Sequence, residues 1–427
     1  MPIDKKEYKE RIVDKIIEKY LHIFGAISIE GPKWCGKTWT SSYHSNSEFL
    51  VGDPTSNFSN RLLAETEPYL VLEGATPRLI DEWQEVPLLW DATRMYVDKK
   101  SKKGLLILTG SSTPVSKGIL HSGVGRIKSI KMNTMSLYES NDSSGDISLK
   151  DLCNHIFEPK ILKDTSLNKL TYLIARGGWP STINIDINDS LEVASNYMEN
   201  VLKEDLRKLD KDIDYNEHKA RLILKSLARN ESTTVSNQSI LNDIMENDST
   251  SISKNTLVKY LDAFKRMFLI NNQEPYAPNI RSSLRVKQME KRHFIDQSLA
   301  CALLNFTPKK MMSDLNTMGF MFESLVIHDL SIYVSAINGK LYHYQDYKGN
   351  EIDAIIELED GSWGAIEIKL GLNRAEEGAK NLIKVCDDII NNGGKEPLFK
   401  CVIYGVGNLA YQNKDGVYIF PITALKD

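Results

Sequence analysis

One segment of the chain has residue types and spacing that could bind phosphate. Gly31-Pro32-Lys33-Trp34-Cys35-Gly36-Lys37-Thr38 fits the pattern G-x-x-x-x-G-K-[ST]. The backbone N–H groups of such a loop surround a phosphate, and the N-terminus of the following helix adds the positive end of its dipole. Lys37 would neutralise the β- and γ-phosphates, and the Thr38 hydroxyl would bind Mg²⁺. The segment therefore predicts a nucleoside triphosphate site.

Two adjacent carboxylates would supply the other half of this site. The apolar run in PRLIDE ends at Asp81 and Glu82. Asp81 would hold the Mg²⁺ shell, and Glu82 would polarise the attacking water as the general base. A base for water favours an ATP-hydrolysing enzyme over a small-molecule kinase, and the chain has no NKxD motif for reading guanine. We therefore expect ATP and Mg²⁺ as cofactors.

Two further positions could contribute to hydrolysis. The run LTGSS ends another apolar segment and would place the Ser111 hydroxyl near a γ-phosphate. Arg126 could sense ATP in its own subunit or act as a finger on the ATP of a neighbouring subunit, since the transition state needs charge compensation. The alternative for Arg126 is a surface arginine that pairs with a local acid. The alternatives for Cys35 are a small buried loop residue and a redox-sensitive thiol.

A second group of charged residues lies in a predicted hairpin near the C-terminus. Glu351 and Asp353 alternate along one strand, and Glu367 and Lys369 alternate along the next. A two-residue turn would put Asp353 and Glu367 on opposite faces. A three-residue loop ending at Gly361 suits a type I turn with a G1 bulge, and it pairs 353 with 367 and 351 with 369. We predict this second register, which gathers all four charges on one face.

Facing carboxylates repel each other unless a cation lies between them. A divalent metal held by Asp353 and Glu367, with Lys369 near the attacking water, would suit hydrolysis of a phosphodiester. Glu323, on an upstream helix, could add a further carboxylate. The alternative is a solvated polar face with a Glu/Lys cross-strand pair.

The elements that must position these residues follow from apolar patterning. Short apolar runs such as Ala26–Glu30 and Gly104–Ser112 alternate with helical segments, which predicts an α/β fold with a parallel sheet. With 427 residues we expect about three domains, at 1–150, 151–275 and 276–427. The middle domain is patterned as helices, with Phe268 to Ile270 as a short strand. It is either a winged-helix domain whose recognition helix begins at Lys254 or a three-helix packing module.

Composition limits the partners. The formal net charge of −4 means that any nucleic-acid binding must come from a local patch. Such a patch lies at 278–293, with five basic residues against Glu290: Arg281, Arg285, Lys287, Lys291 and Arg292.

The expected location is the cytoplasm. The five cysteines form no CxxC pair, and no apolar run approaches the length of a membrane span or a signal peptide. We therefore expect no membrane contact.

Several motifs in order carry a resemblance to a known family. These are GPKWCGKT, RLIDEWQEVP, LTGSS, GR before MNTMSLYE, RGGWP, HFIDQSLA, GFMFES and EIDA followed by IEIK. Across essentially its whole length the chain resembles the prokaryotic AAA-type ATPases that carry a C-terminal restriction-endonuclease-like domain of unknown function. The resemblance implies a P-loop ATPase domain, a helical or winged-helix middle and a PD-(D/E)xK-like end, in which Asp353, Glu367 and Lys369 would be the nuclease-like triad.

Two functions remain open at this point. The first is an ATP-hydrolysing switch or motor that acts on DNA or RNA and could cut it through the C-terminal domain. The second is a regulatory ATPase that binds protein partners, with a catalytically silent nuclease-like domain. A role for Arg126 in trans would require a homo-oligomer.

Overall fold

A computed structural model describes residues 5–113, 122–209, 215–248, 250–277 and 289–427. Within these ranges the chain forms two compact units. The first comprises described residues of Met1–Thr134, Glu204–Tyr215 and Asp262–Leu269, and the second those of Met135–Lys203, Asn216–Leu261 and Ile270–Asp427. Because these units are defined by contacts in space, each contains separated stretches of chain. The boundaries at 150 and 275 remain a prediction.

The secondary structure of the described residues consists of α-helices, short 3₁₀ and π turns, and β-strands. The helices are α1 (Val13–Ile23), α2 (Lys37–Tyr43), α3 (Thr55–Thr66), α4 (Pro68–Leu72), α5 (Leu88–Lys100), α6 (Leu149–Cys153), α7 (Leu167–Arg176), α8 (Ile187–Asn200), α9 (Leu206–Leu209), α10 (Glu217–Arg229), α11 (Asn237–Asp248), α12 (Lys254–Arg266), α13 (Gln297–Leu304), α14 (Pro308–Ser313), α15 (Leu315–Ala336) and α16 (Ala375–Asn391). Short 3₁₀ turns lie at Lys5–Glu7, Trp83–Glu85, Pro180–Thr182, Leu372–Arg374 and Ile422–Ala424, and a π-helical turn lies at Val201–Asp205. The strands are β1 (Ala26–Glu30), β2 (Ser47–Leu50), β3 (Arg78–Asp81), β4 (Leu106–Gly110), β5 (Ile127–Lys131), β6 (Ile147–Ser148), β7 (Lys160–Thr165), β8 (Glu274–Pro275), β9 (Lys340–Gln345), β10 (Glu351–Glu357), β11 (Trp363–Gly371), β12 (Phe399–Gln412), β13 (Tyr418–Pro421) and β14 (Leu425–Lys426).

A parallel sheet forms the centre of the first unit. Its strand order is β2-β3-β4-β1-β5, and all neighbouring strands run parallel. Alternate residues of β1 enter different cores: Ala26 packs in one apolar cluster, and Ile27 and Ile29 pack in another. Burial on both faces explains the continuously apolar strands. The predicted α/β fold with a parallel sheet is confirmed.

The second unit contains a mixed sheet. Its strand order is β13-β12-β11-β10-β9-β8, with β7 added beside β12. Strands β9, β10 and β11 are antiparallel neighbours, whereas β11, β12 and β13 run parallel. Apolar residues of α16, including Leu382 and Val385, pack against this sheet in one cluster.

The sequence pattern predicts a helical middle domain, but the structure also contains a strand there. Residues Lys160–Thr165 form β7, which pairs antiparallel with β12. The side chains of β7 are mostly exposed, so it lacks the buried apolar pattern by which a central strand is recognised. Among the described residues, no helix is both long and apolar enough to cross a membrane.

The HFIDQSLA and RGGWP motifs meet in the second unit. Asp296 caps the N-terminus of α13 by accepting a hydrogen bond from Ser298 N at 3.0 Å. Its other oxygen accepts one from Gly178 N at 2.8 Å, and Trp179 Nε1 donates to Ser298 Oγ at 2.9 Å. All of these groups are buried. The two motifs are therefore parts of one hydrogen-bonded junction.

We expect Asp296→Ala to lower the free energy of unfolding by about 3 kcal/mol, because it removes a helix cap and leaves the buried Gly178 N–H without its acceptor. The control is Asp186→Ala, which removes the exposed cap of α8 and should cost about 1 kcal/mol. Urea unfolding of both variants measures the difference. Equal losses would show that the junction contributes no more than an ordinary cap.

Candidate functional site

The phosphate-loop sequence lies between the end of β1 and the start of α2. Gly36 precedes α2 with φ +100°, a conformation that favours glycine. At Gly31 a Cβ atom would lie 2.1 Å from the carbonyl oxygen of Met132, so only glycine fits there. Both glycines of the motif are therefore required by backbone geometry, and the loop leads directly into a helix N-terminus.

The side chains of the loop have different environments. Lys37 is 4% exposed, and its Nζ donates to the carbonyl oxygens of Gly31 at 3.0 Å and Pro32 at 2.8 Å. Lys33 instead forms an ion pair with Asp205 at 2.5 Å. Cys35 is buried, which fits a small loop residue better than a redox-sensitive thiol, and Trp34 is exposed. Lys37 is thus the lysine held inside the loop.

A hydrogen-bonded chain joins the loop to the ends of two strands. Thr38 Oγ1 donates to Asp81 Oδ1 at 3.0 Å, and Thr109 Oγ1 donates to the same oxygen at 2.6 Å. Burial raises the pKa of the Asp81 carboxyl, the Glu82 charge adds to the rise, and hydrogen bonds from both threonines oppose it. A hydroxyl beside a carboxylate is a donor set that suits Mg²⁺.

Glu82 lies next to this chain in a left-handed backbone conformation, φ +57°. Its N–H donates to Thr109 Oγ1 at 3.0 Å, and its carboxylate accepts a hydrogen bond from Ser111 Oγ at 2.9 Å. Gln84 Nε2 also donates to that carboxylate. The structure therefore brings together Thr38, Asp81, Glu82 and Ser111 as the sequence predicts.

Arg126 is not part of this group, and the prediction that it senses ATP within its own subunit is wrong. It immediately precedes β5, where its carbonyl accepts a hydrogen bond from Ala26 N at the start of β1. The strands β1 and β5 are parallel, and the phosphate loop follows the C-terminal end of β1. Arg126 therefore lies at the opposite, N-terminal end of these strands. Its Nε forms an ion pair with Asp98 at 2.9 Å. A role in trans remains a prediction.

Sequence reasoning missed three residues around the loop. Arg11 is buried and donates to the carbonyl oxygens of Cys35 at 2.9 Å and Asn133 at 2.9 Å. Tyr8 donates to Thr40 Oγ1 at 3.0 Å. Gln84, the donor to the Glu82 carboxylate, is the third. Arg11 and Tyr8 lie in none of the motifs named above, and Gln84 lies in RLIDEWQEVP, where the pattern alone does not reveal its contact with Glu82.

The C-terminal hairpin has the register predicted from its loop. Ala354 pairs with Ile366 and Glu357 with Trp363, which places position 353 opposite 367. The loop is closed by a hydrogen bond from Leu358 N to Ser362 O at 2.8 Å, and Gly361 has φ +76°. The structure thus brings Asp353, Glu367 and Lys369 together.

One lysine of the predicted basic patch lies within these carboxylates. Lys291 Nζ is 2.5 Å from Glu323, 2.7 Å from Glu351 and 3.6 Å from Asp353. Burial by itself would lower the pKa of the Lys291 ammonium, but the three carboxylates outweigh this effect and raise it. We call Lys291, Glu323, Glu351, Asp353, Glu367 and Lys369 the carboxylate–lysine cluster.

The second lysine of the carboxylate–lysine cluster pairs with its strand neighbour. Lys369 Nζ donates to Glu367 Oε1 at 2.6 Å. Burial raises the pKa of Glu367 to about 8, and the charge of Asp353 adds to the rise. Burial likewise raises the pKa of Glu323 to about 8, against the opposing charge of Lys291. Across the described ranges, no group of three or more His, Cys, Asp or Glu residues is arranged to hold a metal ion.

Two of the five basic residues in the predicted patch at 278–293 have side chains that are engaged within the fold. Lys291 is 2% exposed. The guanidinium of Arg292 donates to Asn237 Oδ1 at 2.9 Å and Val235 O at 3.4 Å. The remaining basic residues, Arg281, Arg285 and Lys287, lie outside the described residues.

The parallel sheet, the phosphate loop and the acidic strand end define a P-loop nucleotide-binding domain. In agreement, residues 24–141 match the model of the AAA domain family. Two further segments match domains of unknown function, DUF8612 at residues 167–310 and DUF4143 at residues 318–425.

Individual proteins are similar to this chain at low identity. Uncharacterized proteins of Mycobacterium bovis and Mycobacterium tuberculosis are each 22% identical over 83% of this chain and 72% of their own length. Among solved structures, a Walker-type ATPase of Pyrococcus abyssi is 13% identical, with a TM-score of 0.41 over 70% of this chain and 97% of its own. The replication initiator DnaA, bound to AMPPCP and single-stranded DNA, gives 13% identity and a TM-score of 0.28 over 61% and 91%.

We expect Lys37→Ala to weaken ATP binding by about 10- to 100-fold, because it removes a charge-assisted contact with the phosphates. The matched control is Lys33→Ala in the same loop, whose side chain pairs with Asp205 instead. Titration with a fluorescent ATP analogue measures both. A similar loss in the two variants would mean that general loop charge, and not the position of Lys37, attracts the nucleotide.

Proposed function

We propose that this protein is a Mg²⁺-dependent ATPase that acts as a switch or motor on nucleic acid. The observation that carries the ATPase proposal is the chain of hydrogen bonds from Thr38 through Asp81 to Thr109, with Glu82 beside it. These residues come from three separate segments and meet at the carboxyl end of the parallel sheet. Ligands of open α/β sheets bind at this edge.

Each residue has a separate task in the proposed reaction. Backbone N–H groups of the loop and the Lys37 ammonium bind the phosphates, and Thr38 and Asp81 would hold Mg²⁺, which neutralises charge on the phosphate oxygens. Glu82 accepts the proton of the attacking water. The Thr109 hydroxyl accepts a hydrogen bond from the Glu82 N–H and donates one to the Asp81 carboxylate. It therefore positions the Asp81 side chain and the Glu82 backbone relative to each other.

Hydrogen bonds around Glu82 describe a resting position of the base. Ser111 and Gln84 both donate to its carboxylate. Both hydrogen bonds are made to Oε2, so they hold the carboxylate in place, and Oε1 is the oxygen that would accept the proton of the attacking water.

We expect Glu82→Gln to lower kcat for ATP hydrolysis by about 100-fold or more while it changes ATP affinity little, because it removes the base and keeps the side-chain shape. The control is Glu85→Gln, which alters an exposed glutamate in the same segment that pairs with Arg61. Phosphate release and ATP binding are measured for both. Unchanged turnover in Glu82→Gln would assign the base to another residue.

Action on nucleic acid is supported by the order of elements after α10. Thr233 forms a bridge with Arg292, helices α11 and α12 follow, and Ile270 and Gln273 then form antiparallel bridges with Phe294 and Lys291. Helices and antiparallel bridges follow each other here in the order that a winged helix would have, which supports the winged-helix alternative with α12 as the recognition helix. Lys254, Asn255 and Lys259 of α12 are exposed.

The basic residues at 281, 285 and 287 lie in the chain between the bridged residues Gln273 and Lys291 and outside the described residues. We expect the triple variant Arg281→Glu, Arg285→Glu, Lys287→Glu to weaken DNA binding and to reduce its dependence on salt, because fewer counterions are released. Arg292 is left unchanged, since its side chain is engaged inside the fold.

The control for this variant carries the same change of charge at three exposed lysines, Lys340→Glu, Lys348→Glu and Lys395→Glu. Fluorescence anisotropy of labelled DNA at several salt concentrations separates the two variants. Equal weakening would show that only net charge matters. If the unmodified protein does not bind DNA and its rate of ATP hydrolysis does not change when DNA is added, the regulatory ATPase with protein partners is favoured.

A specific observation favours that second candidate. On α3 and α4 the apolar side chains of Phe58, Leu62 and Leu70 are 50%, 62% and 59% exposed. Exposed large apolar side chains on one stretch of the surface can mark a protein–protein contact.

The proposed action on nucleic acid does not include cleavage, because the carboxylates that would hold a nuclease metal surround Lys291.

A further inference from the structure

The carboxylate–lysine cluster contains the residues that a metal-dependent nuclease would use, but its centre is occupied by a side chain. We propose that the Lys291 ammonium is the resident cation of the carboxylate–lysine cluster and takes the place of a divalent metal there. The domain therefore keeps its carboxylates as a structural ion-pair network and does not cut phosphodiesters. This inference does not depend on the ATPase activity.

Distances exclude a metal and Lys291 from the same position. Mg²⁺ binds carboxylate oxygens at about 2.0–2.1 Å, and Ca²⁺ at about 2.3–2.6 Å. Lys291 Nζ lies 2.5 Å from Glu323 Oε1 and 2.7 Å from Glu351 Oε1. A divalent cation bound to these two oxygens would lie within a few ångströms of the ammonium, in a buried site where repulsion between like charges is poorly screened.

The two predicted metal ligands, Asp353 and Glu367, already use most of their carboxylate oxygens in other contacts. Asp353 Oδ2 accepts a hydrogen bond from Ile368 N at 2.8 Å, and Asp353 Oδ1 faces Lys291 at 3.6 Å. Glu367 Oε1 accepts one from Lys369 at 2.6 Å. Glu367 Oε2 is buried and has no hydrogen-bond partner among the described residues. Asp353 and Glu367 together therefore offer only one oxygen that contacts neither a backbone N–H nor a lysine, and an Mg²⁺ ion needs about six ligands.

Backbone pairing holds Lys291 in this position. Its N–H donates to Gln273 O at 2.9 Å, and its carbonyl accepts from Gln273 N at 2.9 Å. Gln273 Nε2 in turn donates to the carbonyl oxygens of Tyr342 at 2.8 Å and Asp353 at 3.1 Å. Lys291 is thus joined to the hairpin through its side chain and through its strand partner. A lysine fixed at both ends cannot move aside at low energetic cost.

The test measures Mn²⁺ binding to the full chain without nucleotide, from the electron paramagnetic resonance signal of free Mn²⁺. The unmodified protein is compared with Asp353→Asn, so that any Mn²⁺ bound at the phosphate loop cancels. We expect identical titrations, because no metal occupies the carboxylate–lysine cluster. Loss of one bound Mn²⁺ per chain in Asp353→Asn would overturn the proposal.

A second variant tests the substitution directly. Lys291→Met removes the ammonium and keeps most of the side-chain volume, so we expect it to gain one bound Mn²⁺ that is lost again in Lys291→Met, Asp353→Asn. Mn²⁺ should also raise the thermal midpoint of Lys291→Met and leave that of the unmodified protein unchanged. A folded Lys291→Met that binds no additional Mn²⁺ would overturn the proposal. If this variant does not fold, the comparison of the unmodified protein with Asp353→Asn decides the question.

Discussion

A charged side chain can be buried only where opposite charges or hydrogen bonds replace the water that it loses. Both groups of candidate site residues in this protein obey this constraint. In the first unit, Lys37 is buried against two carbonyl oxygens of its own loop, and Asp81 is held by two threonine hydroxyls. In the second unit, Lys291 is buried among three carboxylates. The backbone segments around these groups are fixed by the need to keep each charge satisfied.

The parallel sheet of the first unit meets this need by its topology. Strand β4 lies between β3 and β1, so residues at the ends of all three strands are neighbours in space. The Thr109 hydroxyl can therefore bond to both Asp81 and the backbone of Glu82. The order of strands, more than any single residue, places Asp81, Glu82 and the phosphate loop together.

The sequence is most informative where the chemistry depends on neighbours in the chain. The phosphate loop, the Asp81-Glu82 pair and the hairpin register can be predicted, because each depends on residues that are close together in the chain. Glycine also marks positions that need a positive φ, as at Gly36 and Gly361. Lys291 cannot be recognised as a buried cation, since it belongs to a run of basic residues and its carboxylate partners lie 32 to 62 positions away. The prediction for Arg126 fails for a related reason: its spacing from the loop does not reveal which edge of the sheet it occupies. The strand β7 escapes prediction because its side chains are mostly exposed.

The pairing of Lys291 with the acidic hairpin makes this part of the second unit independent of the concentration of divalent metal ions. A bound metal ion is in exchange with the medium, so a site that depends on one loses structure when chelators or competing ions remove it. A lysine side chain is covalently part of the protein, so it cannot dissociate into the medium. It stays next to its carboxylate partners as long as the protein is folded. The carboxylates that contact Lys291 therefore keep a positively charged partner that does not depend on the supply of divalent ions.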